Sequence, residues 1–215
     1  MRSRKSRSVF LLCFWLITIS LTAPFALSQQ PSSSASKAEV VRVVVFDSDM
    51  ASLLGALAES YDVTIGFETV PQHPNPRVKF QVYDATRNQV FDAIVRAVPE
   101  YQWRERDGVI EFLPVAGASF LDTPIGTLKV TNADWLQAID ALLNLPDVRA
   151  SMLALGLSRR PVKQESAQTG RPINFELTNA TVRDALNNIT AQSGLHFWVS
   201  QQAKGELSFN HSDFR

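Results

Sequence analysis

Two stretches of the chain repeat one another without a gap. Val78-Lys-Phe-Gln-Val-Tyr-Asp-Ala-Thr-Arg lies on Ile173-Asn-Phe-Glu-Leu-Thr-Asn-Ala-Thr-Val, and the register runs on through the following segment to Trp103 and Trp198. Phe80 falls on Phe175, Ala85 on Ala180, Thr86 on Thr181 and Ile94 on Ile189. An internal repeat limits the fold to two copies of one small supersecondary unit, each with an apolar face to bury. Within the first copy Val78, Phe80 and Val82 alternate, as a strand with one buried face does. Thr86 then opens a helix with Gln89 three residues on, a capping box in which each side chain satisfies a free backbone N–H. Val90, Phe91, Ile94, Val95 and Val98 form its stripe, and Pro99 follows its last turn. Strand-like residues 101–105 and 109–113 flank Arg106-Asp107-Gly108, which predicts a hairpin because a type I′ turn needs positive φ at both central residues. The second helix keeps the cap in Thr181 with Asp184 and the stripe in Val182, Ala185, Leu186 and Ile189. Phe197, Val199, Leu207 and Phe209 predict another hairpin, with Gly205 in its turn region.

Each repeat has a preamble. Val40, Val41, Val43, Val44 and Val45 predict a strand, Asp47-Ser48-Asp49 a helix start, and Leu53, Leu54, Leu57 and Ala58 one helical face. Val63 to Phe67 reads as a strand, and Pro71, Pro74 and Pro76 as a loop, since clustered prolines suit neither a helix nor a central strand. Val130-Thr-Asn-Ala-Asp134 and the helix carrying Leu136, Ile139 and Leu142 echo this preamble more weakly. The fold class predicted is α+β: two related units of βαββαββ type, residues 39–115 and 125–215, with helices packed on small mixed sheets. Val148 to Leu157 is compatible with helix or strand. Behind it a polar insertion, 158–171, is expected to be a solvated loop.

The amino end carries Arg2, Arg4, Lys5 and Arg7, followed by the apolar run from Val9 to Thr22 and by Ala26-Leu27-Ser28. That pattern is a signal peptide over 1–28; the run is shorter than the roughly 20 residues a membrane-spanning helix requires. An uncleaved anchor is the alternative. Residues 29–38 are Ser-rich and read as a disordered tether. The protein is therefore expected to be exported, periplasmic or secreted, with no stable membrane span after cleavage. Cys13, the single cysteine, leaves with the signal. The chain has 21 basic and 21 acidic residues, so loss of those four basic residues leaves 17 against 21. Nothing in that balance points to nucleic acid.

The strand, the helix opening at Thr86, Tyr101-x-Trp103 and the Asp107-Gly108 hairpin resemble the short N-terminal domain shared by bacterial secretins and TonB-dependent receptors. The likeness covers residues 40–115 well and the second half in part. It implies a βαββαββ fold and a periplasmic docking role toward an envelope protein. With no barrel or pore segment in the sequence, only docking is carried over.

Chemical signatures are not what this sequence offers. His73, His196 and His211 have no partner at metal-ligand spacing, and no phosphate loop or nucleophile elbow is present. No catalytic residue, cofactor or metal is expected. Asp47 and Asp49 are accounted for as helix-start residues. Trp103 and Trp198 are read as closing the core of each unit rather than as a stacking surface, whereas Trp135, at the front of a helix, is expected to be exposed. The working surface expected is a strand edge that binds a protein partner by strand addition. The candidate residues are Val43 and Val45 on one strand and Ile110 on another, with Trp135 as an aromatic contact and Arg159 and Arg160 as contacts for an acidic partner. A carbohydrate- or wall-binding module using exposed aromatics is the alternative function; an envelope enzyme with a hidden site is a further one.

Overall fold

Capping side chains and turn residues set the ends of most elements. A computed structural model describes residues 41–69, 75–160, 171–203 and 205–211. The expected signal peptide and tether, the loop prolines Pro71 and Pro74, His73 and positions 161–170 of the polar insertion lie outside them. In the first half β1 (Val41–Asp49), α1 (Met50–Tyr61), β2 (Thr64–Glu68), β3 (Arg77–Ala85), α2 (Arg87–Ala97), β4 (Tyr101–Arg106) and β5 (Val109–Pro114) follow in the order βαββαββ. Asp49 caps α1 by accepting from the Ser52 N–H, and Thr86 with Gln89 forms a capping box on α2. Asp107 and Gly108 take φ of 53° and 78°, as the β4–β5 hairpin turn demands.

The second half adds one helix to the pattern. It runs β6 (Pro124–Ala133), α3 (Trp135–Leu143), α4 (Pro146–Ala154), β7 (Ser158–Arg159), β8 (Ile173–Thr181), α5 (Val182–Ser193), β9 (Phe197–Ala203) and β10 (Glu206–His211). Asp134 with Gln137 and Thr181 with Asp184 form capping boxes on α3 and α5. The ambiguous stretch after Leu145 is helical as far as Ala154, started by Pro146, whose missing N–H costs nothing in a first turn.

Strands β1 and β3 pair antiparallel, as do β6 and β8, each as a two-stranded sheet. The remaining strands form one six-stranded sheet in the order β4-β5-β2-β9-β10-β7. Each half contributes the same three-strand piece: a hairpin (β4–β5 or β9–β10) with a strand laid parallel to its second arm (β2 or β7). The pieces meet where β2 lies parallel to β9. That pairing reverses the second piece, so every strand runs opposite to its counterpart.

The faces are exchanged as well. Phe197 and Val199 of β9 join Ile65, Phe67, Ile110 and Phe112 against Leu54 of α1 and Phe91 and Ile94 of α2. Trp198 of the same strand, with Leu207 and Phe209, packs on Ile139 of α3 and Leu186 and Ile189 of α5. The halves are thus related by a half-turn about the line crossing the strands plus a step of three strands, about 14 Å. Phe197 and Val199 are donated to the other half's core, where burial is worth about 1.5–3 kcal/mol per side chain. Residues 38–215 accordingly form one compact unit.

Candidate functional site

The joint between the halves is built from β2 and β5 on one side and α5 and β9 on the other. Gly66 stands opposite Trp198 in the parallel register. A Cβ on Gly66 would lie closer than 3.0 Å to three atoms of the Trp198 ring, so the indole can lie across β2 only because position 66 has no side chain. The Trp198 Nε1–H donates to Asn187 Oδ1 at 3.0 Å, and Asn187 Nδ2 in turn donates to Glu111 Oε1 at 2.8 Å. Glu111 is fully buried; its other oxygen accepts from Arg104 Nε at 2.6 Å.

One helical turn away, Arg183 is 1 % exposed and donates through Nη2 to Glu68 at 2.7 Å and through Nε to Asp122 at 3.0 Å. Burial works against its charge, but Glu68 and Asp122 more than offset that and hold the guanidinium more firmly protonated than a free arginine. Ser119 Oγ accepts from Arg183 Nη2 and donates to Glu68, at 3.1 and 2.5 Å. Arg183 Nη1 has no partner among the described residues. The cleft of about 260 Å³ that Arg183, Glu68 and Asp122 line is roomy enough for water to supply one. Buried ion pairs seldom add net stability, but they penalise every arrangement that leaves one charge alone, and so fix how two surfaces meet.

The other hairpin carries the same device with no further strand beside it among the described residues. Trp103 Nε1–H donates to Asp92 Oδ1 at 2.8 Å, eleven residues apart, just as Trp198 and Asn187 are eleven apart. In the gapless repeat Asp92 falls on Asn187 and Asn88 on Arg183. Trp103 rests on Phe91, ring centroids 5.4 Å apart, and remains half-exposed. Its strand, β4, ends the six-stranded sheet and pairs only with β5 among the described residues. Gln102, Arg104 and Glu105 lie exposed along it; Glu105 accepts from Arg87 at 3.0 Å.

The residues singled out from sequence fall in different places. Val43 and Val45 lie on β1, opposite Val82 and Phe80 of β3, and β1 pairs on that one side. Ile110 is not on an edge: β5 is hydrogen-bonded to β4 on one side and β2 on the other, and Ile110 is buried. The expectation of an exposed Trp135 is also corrected. Although it begins α3, it is 3 % exposed and belongs to the second core, because α3 packs against α5 and β6. Arg159 and Arg160 are not a loose basic patch. Arg159 sits on β7 and pairs with Asp140, while the Arg160 N–H donates to the Leu207 carbonyl and its guanidinium lies 4.0 Å from Glu206. Trp103 and Trp198 sit where their core-closing reading puts them, one half-exposed and one buried.

Asp47 is exposed and pairs with Arg77 at 2.6 Å. Partial burial raises the Asp49 carboxyl, but hydrogen bonds from Ser52 and Asn75 prevail and hold it below its usual range. Sequence reasoning found β4 as a hairpin arm but not as the sheet edge, and missed Asp92, Asn187 and Arg183. The signal was present: the repeat that superposes the tryptophans also superposes their hydrogen-bond acceptors.

No family model matches the chain, and no curated protein matches it. Among the described residues no helix is long and apolar enough to cross a membrane, and no three His, Cys, Asp or Glu side chains are grouped to hold a metal ion.

Proposed function

We propose that this is a non-enzymatic, exported docking protein that captures an envelope protein by strand addition at β4. The observation that carries the reading is the side of β4 left unpaired among the described residues, at the end of a sheet whose middle is already closed by one such addition, β2 against β9. An unpaired strand margin presents N–H and C=O groups that an incoming strand completes, with side-chain pockets supplying specificity. Docking is also what the resemblance to the secretin and TonB-receptor domain implies. The carbohydrate alternative calls for exposed aromatics; Trp135, the indole expected to be exposed, is buried, while Trp103 is half-exposed.

The test uses the direction of the backbone groups. The carbonyls of His196, just before β9, and Ser200 accept from the N–H groups of Ile65 on β2 and Thr69 just after it, so alternate residues 196, 198 and 200 face the joint. Their counterparts on β4 are Tyr101, Trp103 and Glu105. Proline at Glu105 therefore removes an outward N–H and leaves the β4–β5 ladder intact. With a photo-crosslinking residue at Gln102 of the full chain in intact cells, Glu105→Pro is expected to cut partner capture at least tenfold, and Glu105→Ala to leave it unchanged. Equal capture by the folded proline and alanine variants would remove β4 as the docking edge.

A further inference from the structure

We infer that β4 receives a strand running parallel to it, with glycine opposite Trp103 and a basic residue two positions further on. This rests on the docking reading and specifies its partner, and it comes from treating the internal joint as a filled copy of the vacant edge. In the joint Ile65, Gly66, Phe67 and Glu68 stand opposite Phe197, Trp198, Val199 and Ser200. The repeat puts Gln102, Trp103, Arg104 and Glu105 in those four places on β4. Both indoles donate the same hydrogen bond to the same helix position, so both lie alike against their strands. What forbids a side chain at position 66 forbids one opposite Trp103. The requirement for glycine is therefore steric and carries over.

The remaining requirements change in sign or polarity. Phe197 and Val199 of the joint are replaced by Gln102 and Arg104, so the partner's residues on either side of the glycine are polar. By the repeat, the place of Glu68, which in the joint pairs with Arg183, falls beside Asn88, with the Asp92 carboxylate one helical turn on and Glu105 already neutralised by Arg87. An acid is matched in the first setting and a base in the second. The chain's own β2 is closed on both sides by β5 and β9, and its counterpart β7, at the other end of the sheet, is only two residues long. The occupant is a different protein presenting a polar-Gly-polar-basic edge strand. Head-to-tail joints of this kind use unlike edges and leave one of each free, which is why a vacant copy exists at all.

The probe is a synthetic peptide copying residues 63–69 with Ile65→Thr, Phe67→Thr and Glu68→Lys, titrated into the full-length chain by calorimetry and tryptophan emission. It is expected to bind at least tenfold more tightly than the same peptide with valine in place of its glycine, and than the peptide that keeps the glutamate. Trp103→Ala should erase the preference for glycine. Asp92→Asn, which keeps the indole acceptor as Asn187 does, should erase only the preference for lysine. Absence of binding at millimolar peptide, equal binding of glycine and valine peptides, preference for glutamate, or self-association of the chain through β4 would each overturn the inference. If capture in cells still depends on the Glu105 N–H while the peptide preferences fail, docking at β4 stands and this partner chemistry falls; if both fail, the docking reading falls too.

Discussion

Arg183 looks like an ordinary surface residue in the sequence, the second position of a capped helix with an aspartate beside it. Its burial comes from Glu68, 115 residues away, and from Asp122 in the segment joining the halves. Local pattern holds no trace of either, because a side chain's partner across a joint is set by topology rather than by its neighbours in the chain. The consequence is measurable. Arg183→Met leaves Glu68 buried without a counter-charge and is expected to cost about 3–5 kcal/mol in urea unfolding. Adding Glu68→Gln should recover part of that loss, since the double variant buries no lone charge. A double variant as unstable as the sum of the singles would show that the two residues do not act as a pair.

At the scale of elements, the features confined to a few residues were legible. The capping boxes at Thr86 and Thr181, the Asp107-Gly108 turn and the helical stripes are each decided within one or two turns of chain. Strand neighbours were not legible. β5 reads as a possible edge because its alternation and turn are those of any hairpin arm, yet β2 returns parallel to it and makes it interior. Trp135 reads as exposed at a helix front until α5 and β6 close over α3. Gly66 belongs to the same class: inside a strand it looks like a weak point, but the indole of Trp198 occupies the space its side chain would take. Gly66→Val should therefore lower stability by about 3 kcal/mol through overpacking. Combined with Trp198→Leu, which vacates that space, it should cost less than the two changes summed, as thermal unfolding of the four proteins would measure. Strict additivity would mean the two positions are not in contact.

For the molecule as a whole, the repeat suggests two modules but the packing makes one. β9 lends Phe197 and Val199 to the first core, β2 closes over Trp198 of the second, and Arg183 and Asn187 find their carboxylates on the opposite half. Each half alone would expose a row of unpaired backbone groups beside apolar side chains and would bury Glu68 or Arg183 against nothing. Unfolding is therefore expected to be a single transition, coincident by far-UV circular dichroism and by tryptophan emission, despite the two clusters of core residues. Cutting the chain between Gly117 and Ala118, after β5 and before the segment that carries Asp122, makes the dependence explicit. The two fragments should each lack a cooperative transition, and mixing them should restore one, with Gly66→Val in the first fragment preventing recovery. Two fragments that melt cooperatively on their own, at the temperatures seen in the intact chain, would mean that the shared sheet merely juxtaposes two finished domains. The free β4 edge would then lose its claim to be a vacant copy of a joint that folding requires.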